Sequence, residues 1–327
     1  MKKKQFKSYA GMAAMCTMLA LASCGNDIEL TEAQAPAKGA YNVTFTVGQE
    51  SNATRTAISA DDAAKVIWQP GDAITVFDGA CQNCTFEFAK YASEDKTIGE
   101  FVGTITVTEP KRYVSVYPAN PQVGIQPPDG IIPGFPIPDY YLTGLVLPEE
   151  QVATPGGFDP RADIMIARND NAEGIVDASK DLTLGEFKHV CAFVKVTTTE
   201  PYDKITFTAL GGEYIAGNFR VTVNSDGVTT GLYPNSQASV NTVSLVPAEG
   251  KTEIAAGTYL IAILPGTLSE GFTMSCISVD EANSEVTTML RSYNGNTEVF
   301  SRRSVVNMGT VAETATTVGW TKITQKY

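Results

Sequence analysis

The sequence predicts an all-β protein in which two tandem β-sandwich domains follow an N-terminal export segment. Short runs rich in Val, Ile, Thr, Phe and Tyr recur along the 327 residues, and most are bounded by Gly, Pro, Asp or Asn. Turn-forming residues are frequent, with 28 Gly and 17 Pro. No run carries a sustained stripe of apolar residues at helical spacing. A hydrophobic content of 43% is ordinary for a folded globular protein, and the length suggests two domains.

The composition excludes several classes of function. The formal charge is −12, and it becomes −16 once the four N-terminal lysines are removed, which leaves 20 basic and 36 acidic residues. Nucleic acid is therefore not an expected partner. The single histidine, His189, rules out a His-Glu-x-x-His zinc helix and leaves any Ser-His-Asp or Cys-His mechanism dependent on one residue. We predict a protein that is not an enzyme and has no catalytic residue, metal or cofactor.

The first 38 residues carry an export signal. Four lysines within residues 2–7 precede an apolar stretch at 9–22, which is too short to serve comfortably as a permanent membrane span. Residues 1–23 are therefore predicted to be a signal peptide. The stretch ends in Leu-Ala-Ser-Cys, which resembles the bacterial lipoprotein box, whose cysteine is acylated after cleavage. The resemblance implies lipidation of Cys24 and a lipidated spacer at 24–38. The alternative is an ordinary signal peptide in which Cys24 is incidental.

A lipid on Cys24 would tether the mature protein to a membrane. Several acyl chains, at about 0.8 kcal/mol per buried methylene, give stable anchoring, whereas a single chain is marginal. The acidic residues within 25–29 are similar to the surface-export signal of Bacteroidetes lipoproteins. The expected location is therefore the outer membrane and the cell surface.

The first predicted domain covers residues 39–199. In its opening strand Tyr41, Val43, Phe45 and Val47 alternate with polar residues, which gives the strand one apolar and one polar face. Residues 118–138 contain seven of the 17 Pro and are predicted to form a long ordered loop, because proline cannot donate a ladder hydrogen bond. The other strands of this domain are predicted at 66–68, 73–77, 85–88, 101–107, 113–117, 163–167, 182–187 and 190–197.

The second predicted domain covers residues 200–327. We place the hinge between the domains at Glu200 and Pro201. The same pattern of short apolar runs continues behind the hinge, with strands predicted at 205–209, 219–223, 259–264, 272–279, 286–290 and 305–311. Two sandwiches of comparable size would account for the two halves of the chain.

Several motifs resemble the fimbrillin family of Bacteroidetes, and their order carries the resemblance. That family commonly shows an Arg-Thr pair, then Trp-x-x-Gly-Asp-x-Ile, an Asp-hydrophobic-Met segment and a Phe-x-His strand. The matching stretches are Arg-Thr-Ala-Ile at 55–58, Ile-Trp-Gln-Pro-Gly-Asp-Ala-Ile at 67–74, Asp-Ile-Met-Ile-Ala at 163–167 and Phe-Lys-His-Val-Cys at 187–191. Gly-Thr-Tyr at 257–259, Leu-Pro-Gly at 264–266 and Val-Asn-Met-Gly-Thr-Val at 306–311 resemble parts of the second domain of the family.

The resemblance implies a structural or accessory subunit of type V pili that acts in adhesion on the fimbrium. It implies two transthyretin-like sandwiches, export as a lipoprotein, and maturation by an outer-membrane Arg-specific protease that cuts after Arg55. In the family the cut removes the first strand, here 41–47, and a strand from the C-terminal region of another subunit, here 310–320, fills the groove. The expected partners are other pilus subunits, the outer membrane through the lipid, the protease, and a host protein or glycan.

Exchange of the strand at 41–47 has a physical basis in the sequence. A missing amphipathic strand leaves two rows of unpaired backbone groups beside an uncovered core. Burial of its four large side chains would contribute about 6 to 12 kcal/mol before entropy costs, at roughly 1.5 to 3 kcal/mol each. Arg55 lies in a polar stretch of the kind that is exposed and nicked. The alternative is that Arg55 is never cut, since accessory and anchor subunits of such pili can keep their N-terminus.

Three further patterns are assigned no chemistry. Cys81 and Cys84 form a Cys-x-x-Cys between two strands, and either a short disulfide or two reduced thiols fits an exported chain. His189 begins an apolar strand and is predicted to be structural. Residues 169–174 resemble the first half of an EF-hand loop, but the twelfth position is Lys180 instead of the required carboxylate.

The main rival from another class is a lipid-anchored surface glycan-binding protein. Phe135, Tyr140 and Tyr141 lie in or beside the proline-rich loop and would offer a flat aromatic platform for a sugar. The alternative is that these three side chains pack the loop onto the sandwich.

Overall fold

A computed structural model describes residues 41–49, 67–77, 83–105, 113–126, 140–169, 181–225, 227, 229–312 and 319–326. Within these ranges the chain forms twenty-two strands, numbered here in chain order, and a single 3-10 helix of three residues. The prediction of an all-β protein is confirmed. The part of the chain that the structure describes contains no helix that could span a membrane.

Seven strands form a sheet that closes on itself, called here the closed sheet. They are β1 (Tyr41–Gln49), β2 (Ala73–Phe77), β3 (Asn83–Tyr91), β4 (Gly99–Ile105), β5 (Tyr113–Tyr117), β9 (Met165–Asn169) and β10 (Asp181–His189). The order around the sheet is β1, β10, β9, β5, β2, β3, β4, and β4 pairs back onto β1. Because side chains alternate across a strand, every second residue points inward. The buried cluster inside includes the aromatic rings of Phe45, Trp68, Phe86, Phe101, Tyr113 and Phe187.

The remaining strands form four further sheets around a second buried cluster. The three-stranded sheet has the order β16 (Gly257–Ile263), β11 (Ala192–Thr198), β21 (Val305–Val311). The six-stranded sheet has the order β22 (Thr321–Lys326), β19 (Glu285–Asn294), β18 (Gly271–Asp280), β12 (Lys204–Ala209), β15 (Thr242–Val246), β8 (Glu150–Val152). The four-stranded sheet has the order β14 (Thr229–Val240), β13 (Ala216–Val223), β7 (Tyr140–Leu147), β6 (Gly124–Gln126). The last sheet pairs β17 (Gly266–Leu268) with β20 (Glu298–Phe300).

Strand pairing crosses the predicted boundary between residues 199 and 200. β7, β8 and β11 lie before it, yet β7 pairs with β13, β8 pairs with β15, and β11 pairs with β16 and β21. A strand with alternating apolar and polar residues can pair in any sheet that has one buried face. Its sequence therefore does not specify which strand it pairs with. The division into domains 39–199 and 200–327 stays a prediction.

Most of the predicted strands are confirmed, and β2 and β5 have the bounds expected from the sequence. The strand predicted at 66–68 is wrong for Ile67 and Trp68, which belong to no strand. Within the proline-rich stretch, β6 pairs with β7, so an unbroken loop is wrong there, and residues 127–138 lie outside the described residues. The sequence does not predict β14, because its twelve residues, none of them buried, show no apolar alternation.

The short 3-10 helix (Pro160–Ala162) is capped by the buried carboxylate of Asp159. This carboxylate accepts hydrogen bonds from the backbone N–H of Val152 at 2.7 Å and of Arg161 at 2.9 Å, and it also accepts from the Arg161 guanidinium at 2.6 Å. Burial acts to raise the pKa of Asp159, but the hydrogen bonds from Arg161 and Val152 outweigh it. The pKa of Asp159 is therefore lowered overall.

Protonation of Asp159 is expected to remove part of the stability at acidic pH. The pKa of Asp159 is lower in the folded protein than in the unfolded chain, where an Asp has a pKa of about 3.9. The ionised carboxylate therefore contributes fully to the free energy of unfolding above that pH, and this contribution is lost as the pH falls through the folded pKa. We expect Asp159→Asn to lower the free energy of unfolding by about 1 to 3 kcal/mol at neutral pH. Below the unfolded pKa of Asp, the variant is expected to lose stability less steeply than the wild type. Urea unfolding at several pH values tests this, with the exposed Glu249→Gln as control. Parallel pH profiles for all three proteins would contradict it.

Candidate functional site at the first strand

β1 completes the closed sheet by pairing along both of its edges. Residues 44–49 run parallel to β10, with a register shift between Thr46 and Val47. Residues 41–47 run antiparallel to β4. The parallel neighbour means that β1 and β10 are joined by a long excursion of the chain and not by a hairpin.

Three side chains of β1 point into the closed sheet. Val43, Phe45 and Val47 are 3%, 0% and 0% exposed. The ring of Phe45 makes edge-on contacts with Phe86 and Tyr113, at centroid distances of 4.9 and 5.3 Å. The apolar face expected from the sequence is thus the buried face, whereas the side chain of Tyr41 lies outside the described residues.

Removal of β1 would uncover an apolar slot between β10 and β4. Burial of Val43, Phe45 and Val47 contributes about 5 to 9 kcal/mol, at about 1.5 to 3 kcal/mol each. The facing edges of β10 and β4 would both lose their ladder partners. Such a slot would have unpaired backbone groups along its edges and an exposed apolar core. An added strand can form hydrogen bonds with those backbone groups and cover the core.

Two glycines of β4 shape the side of this slot, and both pair with β1. A Cβ at Gly103 would lie 2.6 Å from the ring of Phe86. A Cβ at Gly99 would lie 2.9 Å from Cδ1 of Trp68. Glycine is needed at these positions because aromatic rings of the core occupy the space beside the backbone.

The Trp-x-x-Gly-Asp motif forms the turn that leads into β2. Gly71 has a φ of +96°, which residues with a Cβ rarely adopt. The carboxylate of Asp72 accepts hydrogen bonds from the Gln69 N–H at 2.7 Å and from the Tyr117 hydroxyl at 2.9 Å, and burial raises its pKa. Trp68 packs beside Tyr117 at a centroid distance of 5.4 Å. The role of this motif is therefore to place an indole in the core.

His189 is buried at the end of β10, among packed neighbours. Its Nδ1 lies 2.9 Å from Oδ1 of Asp163, and its ring makes an edge-on contact with Phe193. Its carbonyl accepts a hydrogen bond from Arg302 at 2.9 Å. The structure thus places His189 where a structural role was expected, and the chain has no second histidine.

Several predicted site residues lie outside the described residues, namely Cys24, Arg55, Cys81, Phe135 and Lys180. Lipidation, cleavage and a disulfide to Cys84 of β3 therefore stay predictions. In the ranges that the structure covers, no three His, Cys, Asp or Glu side chains converge as metal ligands. Two free thiols, those of Cys191 and Cys276, are buried, and burial raises the pKa of each.

The aromatic residues suggested for a glycan platform do not share one face. Tyr140 packs against the second buried cluster, and the Arg168 guanidinium lies 4.7 Å from the centre of its ring. The next residue of β7, Tyr141, is 39% exposed, and neighbouring residues of a strand point to opposite faces. No platform is formed by these two side chains.

The C-terminal segment suggested as a donor is divided between two elements. Thr310 and Val311 belong to β21, and Val311 is fully buried and pairs with Thr198. Residues 313–318 lie outside the described residues. β22 then forms an edge of the six-stranded sheet, where it pairs with β19 and exposes all six of its residues.

Comparison with known proteins assigns no family. No family model matches the chain, and no curated protein matches it. A solved candidate cell adhesion protein from Bacteroides ovatus is similar, with 14% identity over 88% of this chain and 98% of that chain and a TM-score of 0.43. A candidate cell adhesion protein from Bacteroides fragilis has 11% identity over 86% and 93% of the two chains and a TM-score of 0.39. A fimbrial protein from Bacteroides ovatus has 10% identity over 83% and 48%, with a TM-score of 0.35.

Proposed function

We propose that the chain is a structural or accessory subunit of a fimbrium that assembles by strand exchange and acts in adhesion at the cell surface. The observation that carries the proposal is β1, which pairs on both edges and buries three alternate side chains. Arg55 follows β1 in the sequence and precedes β2, so a cut after Arg55 would leave β1 held only by non-covalent contacts.

A strand that replaces β1 must satisfy two requirements. It must offer backbone donors and acceptors to both β10 and β4, and it must carry bulky apolar residues at alternate positions. Val43, Phe45 and Val47 define the size of those residues, because their contacts are with a closed aromatic core. An incoming strand that meets both requirements recovers the ladders and the burial that β1 provided.

The donor is proposed to come from the C-terminal region of another subunit. In this chain Thr310 and Val311 already belong to β21, so a donor segment would begin after Val311 and include β22. The large apolar residues within 312–327 are Val318, Trp320, Ile323 and Tyr327, and no three of them stand at alternate positions, whereas the slot needs three. The chain therefore suits an acceptor better than a donor, which favours an accessory subunit that receives a strand from a different protein.

The proposed life cycle follows from the order of the N-terminal signals. Lipidation of Cys24 would hold the precursor at the outer membrane, and an Arg-specific maturation protease would then release both the lipid and β1. Removal of the tether and opening of the slot are thus one event, so that only surface-exposed subunits become competent to assemble.

The test is digestion of the protein beginning at residue 25 with an Arg-specific protease, followed by intact mass and size-exclusion chromatography. We expect one early cut after Arg55 and then growth into oligomers or binding of an added donor strand. A synthetic peptide with the sequence of β1 is expected to block this change by refilling the slot. A peptide with Asp in place of Phe45 is expected not to, because a carboxylate cannot be buried there without a partner.

The matched control for cleavage is Arg55→Gln, which leaves β1 and its core contacts unchanged. This variant is expected to stay monomeric under the same digestion. Resistance of the wild type at Arg55, or a cut that leaves a stable monomer without affinity for β1-like peptides, would contradict the proposed assembly.

A further inference from the structure

A polar cleft lies between β7, β13 and β14 on the outer face of the four-stranded sheet. It has a volume of about 470 Å³, within the range of about 300 to 1,000 Å³ that is typical of small-molecule sites. None of the described residues that line it belongs to the closed sheet, so the cleft is separate from the slot of β1. Its polar side chains are those of Thr143, Asn218, Arg220, Tyr233, Asn235 and Ser236.

Two irregularities in strand pairing build this cleft. Between β13 and β14, the single residue Asn218 stands opposite four residues, 235–238. Between β13 and β7, the single residue Arg220 stands opposite Thr143 and Gly144. Bulges of this kind bend a strand and re-aim its side chains, and they are frequent beside functional sites. The extra residues of β14 form a wall next to Arg220.

A hydrogen bond and a close backbone contact hold this wall of β14 against β13. The Ser239 hydroxyl donates a hydrogen bond to the Asn218 carbonyl at 2.7 Å across the bulge. Gly217, at the base of the bulge, has a φ of +98°, and a Cβ on it would collide with the carbonyl oxygen of Ala238. The close approach of the two backbones therefore depends on glycine at this position.

Among the described residues that line the cleft, Arg220 is the one cation, and the other lining side chains are uncharged. The Arg220 guanidinium carbon lies 5.2 Å from the centre of the Tyr233 ring. This contact restrains the guanidinium, and its planar N–H groups match the two oxygens of a carboxylate. None of the described residues that line the cleft is acidic. A carboxylate on a ligand would therefore meet no like charge from the lining.

The remaining groups suit a ligand with several hydroxyls. Asn218, Asn235 and Ser236 are exposed, and their side chains can both donate and accept hydrogen bonds. Tyr233 is 45% exposed and offers apolar ring surface beside these polar groups. A polyanion is disfavoured because the chain carries a formal charge of −12, so the charge on a matching ligand is small.

We propose that this cleft binds a saccharide unit that carries a single carboxylate, such as a uronic acid. The carboxylate bonds to Arg220, the hydroxyls bond to Asn218, Asn235 and Ser236, and the sugar ring packs against Tyr233. The inference goes beyond the proposed assembly function and does not depend on it, because the cleft is complete whether or not β1 is exchanged.

The test is titration of the protein beginning at residue 25 with two glycosides that differ only in one group. These are methyl β-D-glucuronide and methyl β-D-glucoside, with binding followed by ligand-observed NMR or calorimetry. We expect the glucuronide to bind about ten-fold more tightly or better, because a charge-assisted bidentate contact is lost in the glucoside. Arg220→Gln is expected to bring the two affinities together, whereas Asn218→Ala is expected to weaken both alike.

The matched control is Lys96→Gln. Lys96 also lies over a tyrosine ring, that of Tyr91 at 5.1 Å, but it is not part of the cleft. This variant is expected to bind the glucuronide as the wild type does, and thermal unfolding confirms that each variant is folded. Equal affinity for the two glycosides, no binding of either, or glucuronide binding unchanged by Arg220→Gln would overturn the proposal.

Discussion

Replacement of Phe45 by alanine is expected to destabilise the closed sheet by about 3 to 5 kcal/mol, the usual cost of truncating a buried aromatic ring. The ring is 0% exposed, and it contacts Phe86 and Tyr113 at 4.9 and 5.3 Å. Close packing leaves few neighbours free to fill the space, so a cavity remains. Urea unfolding followed by circular dichroism measures the loss.

Thr44→Ala is the matched control for Phe45→Ala. Thr44 is the preceding residue of β1, points to the opposite face, and is half-buried, so its truncation is expected to cost less than about 1 kcal/mol. A Phe45→Ala variant as stable as Thr44→Ala would show that the inward face of β1 contributes little. The slot would then lack the driving force that strand exchange needs.

Replacement of Trp68 by alanine is expected to have an effect of similar size, about 3 to 5 kcal/mol. The indole makes edge-on contacts with Phe101, Tyr117 and Phe187 at centroid distances of 4.9, 5.4 and 5.8 Å. Its removal takes one partner away from each of these three rings. Because Phe187 lies on β10 and Phe101 on β4, the change reaches both strands that flank β1.

Two controls separate ring packing from general sensitivity of this region. Trp68→Phe keeps an aromatic ring and is expected to lose less than half as much stability as Trp68→Ala. Ile98→Ala removes an apolar side chain that is 37% exposed, and its expected cost is below about 1 kcal/mol. Equal losses for Trp68→Ala and Ile98→Ala would contradict the assignment of Trp68 to the core.

The strand proposed for assembly and the cleft proposed for ligand binding belong to different sheets. The slot of β1 lies in the closed sheet, whereas the cleft around Arg220 lies on the four-stranded sheet. The proposed saccharide site would therefore stay accessible while the slot of β1 is filled.

Some structural elements could be predicted because neighbouring residues in the sequence determine them. The alternation from Val43 to Val47 identifies both the strand and its buried face, because side chains of a strand point to opposite sides with a period of two. The turn at Gly71 also has a local cause, since its φ of +96° favours glycine, but the apolar run before it predicted a strand at 66–68 that Ile67 and Trp68 do not form. The weakness of the signal for β14 is also physical, because an exposed edge strand needs no apolar alternation.

The cleft around Arg220 could not be predicted from the sequence. Asn218 and Arg220 lie on one strand, Tyr233 to Ser236 on another, and Thr143 on a third. These residues meet only because two bulges shift the register between the strands. A single sequence carries no marker for such a shift, whose position depends on the pairing of both neighbouring strands.

The sequence by itself determined that this protein is all-β and which face of β1 is apolar. Only the tertiary structure decided that β1 lies between β10 and β4, that β11 pairs with β16 and β21, and that Arg220 stands in a cleft. The physical reason is the distance along the chain over which the interactions act. A period of two is set by each residue and its neighbours, whereas the choice of partner and register depends on the burial gained by strands that are far apart in the chain.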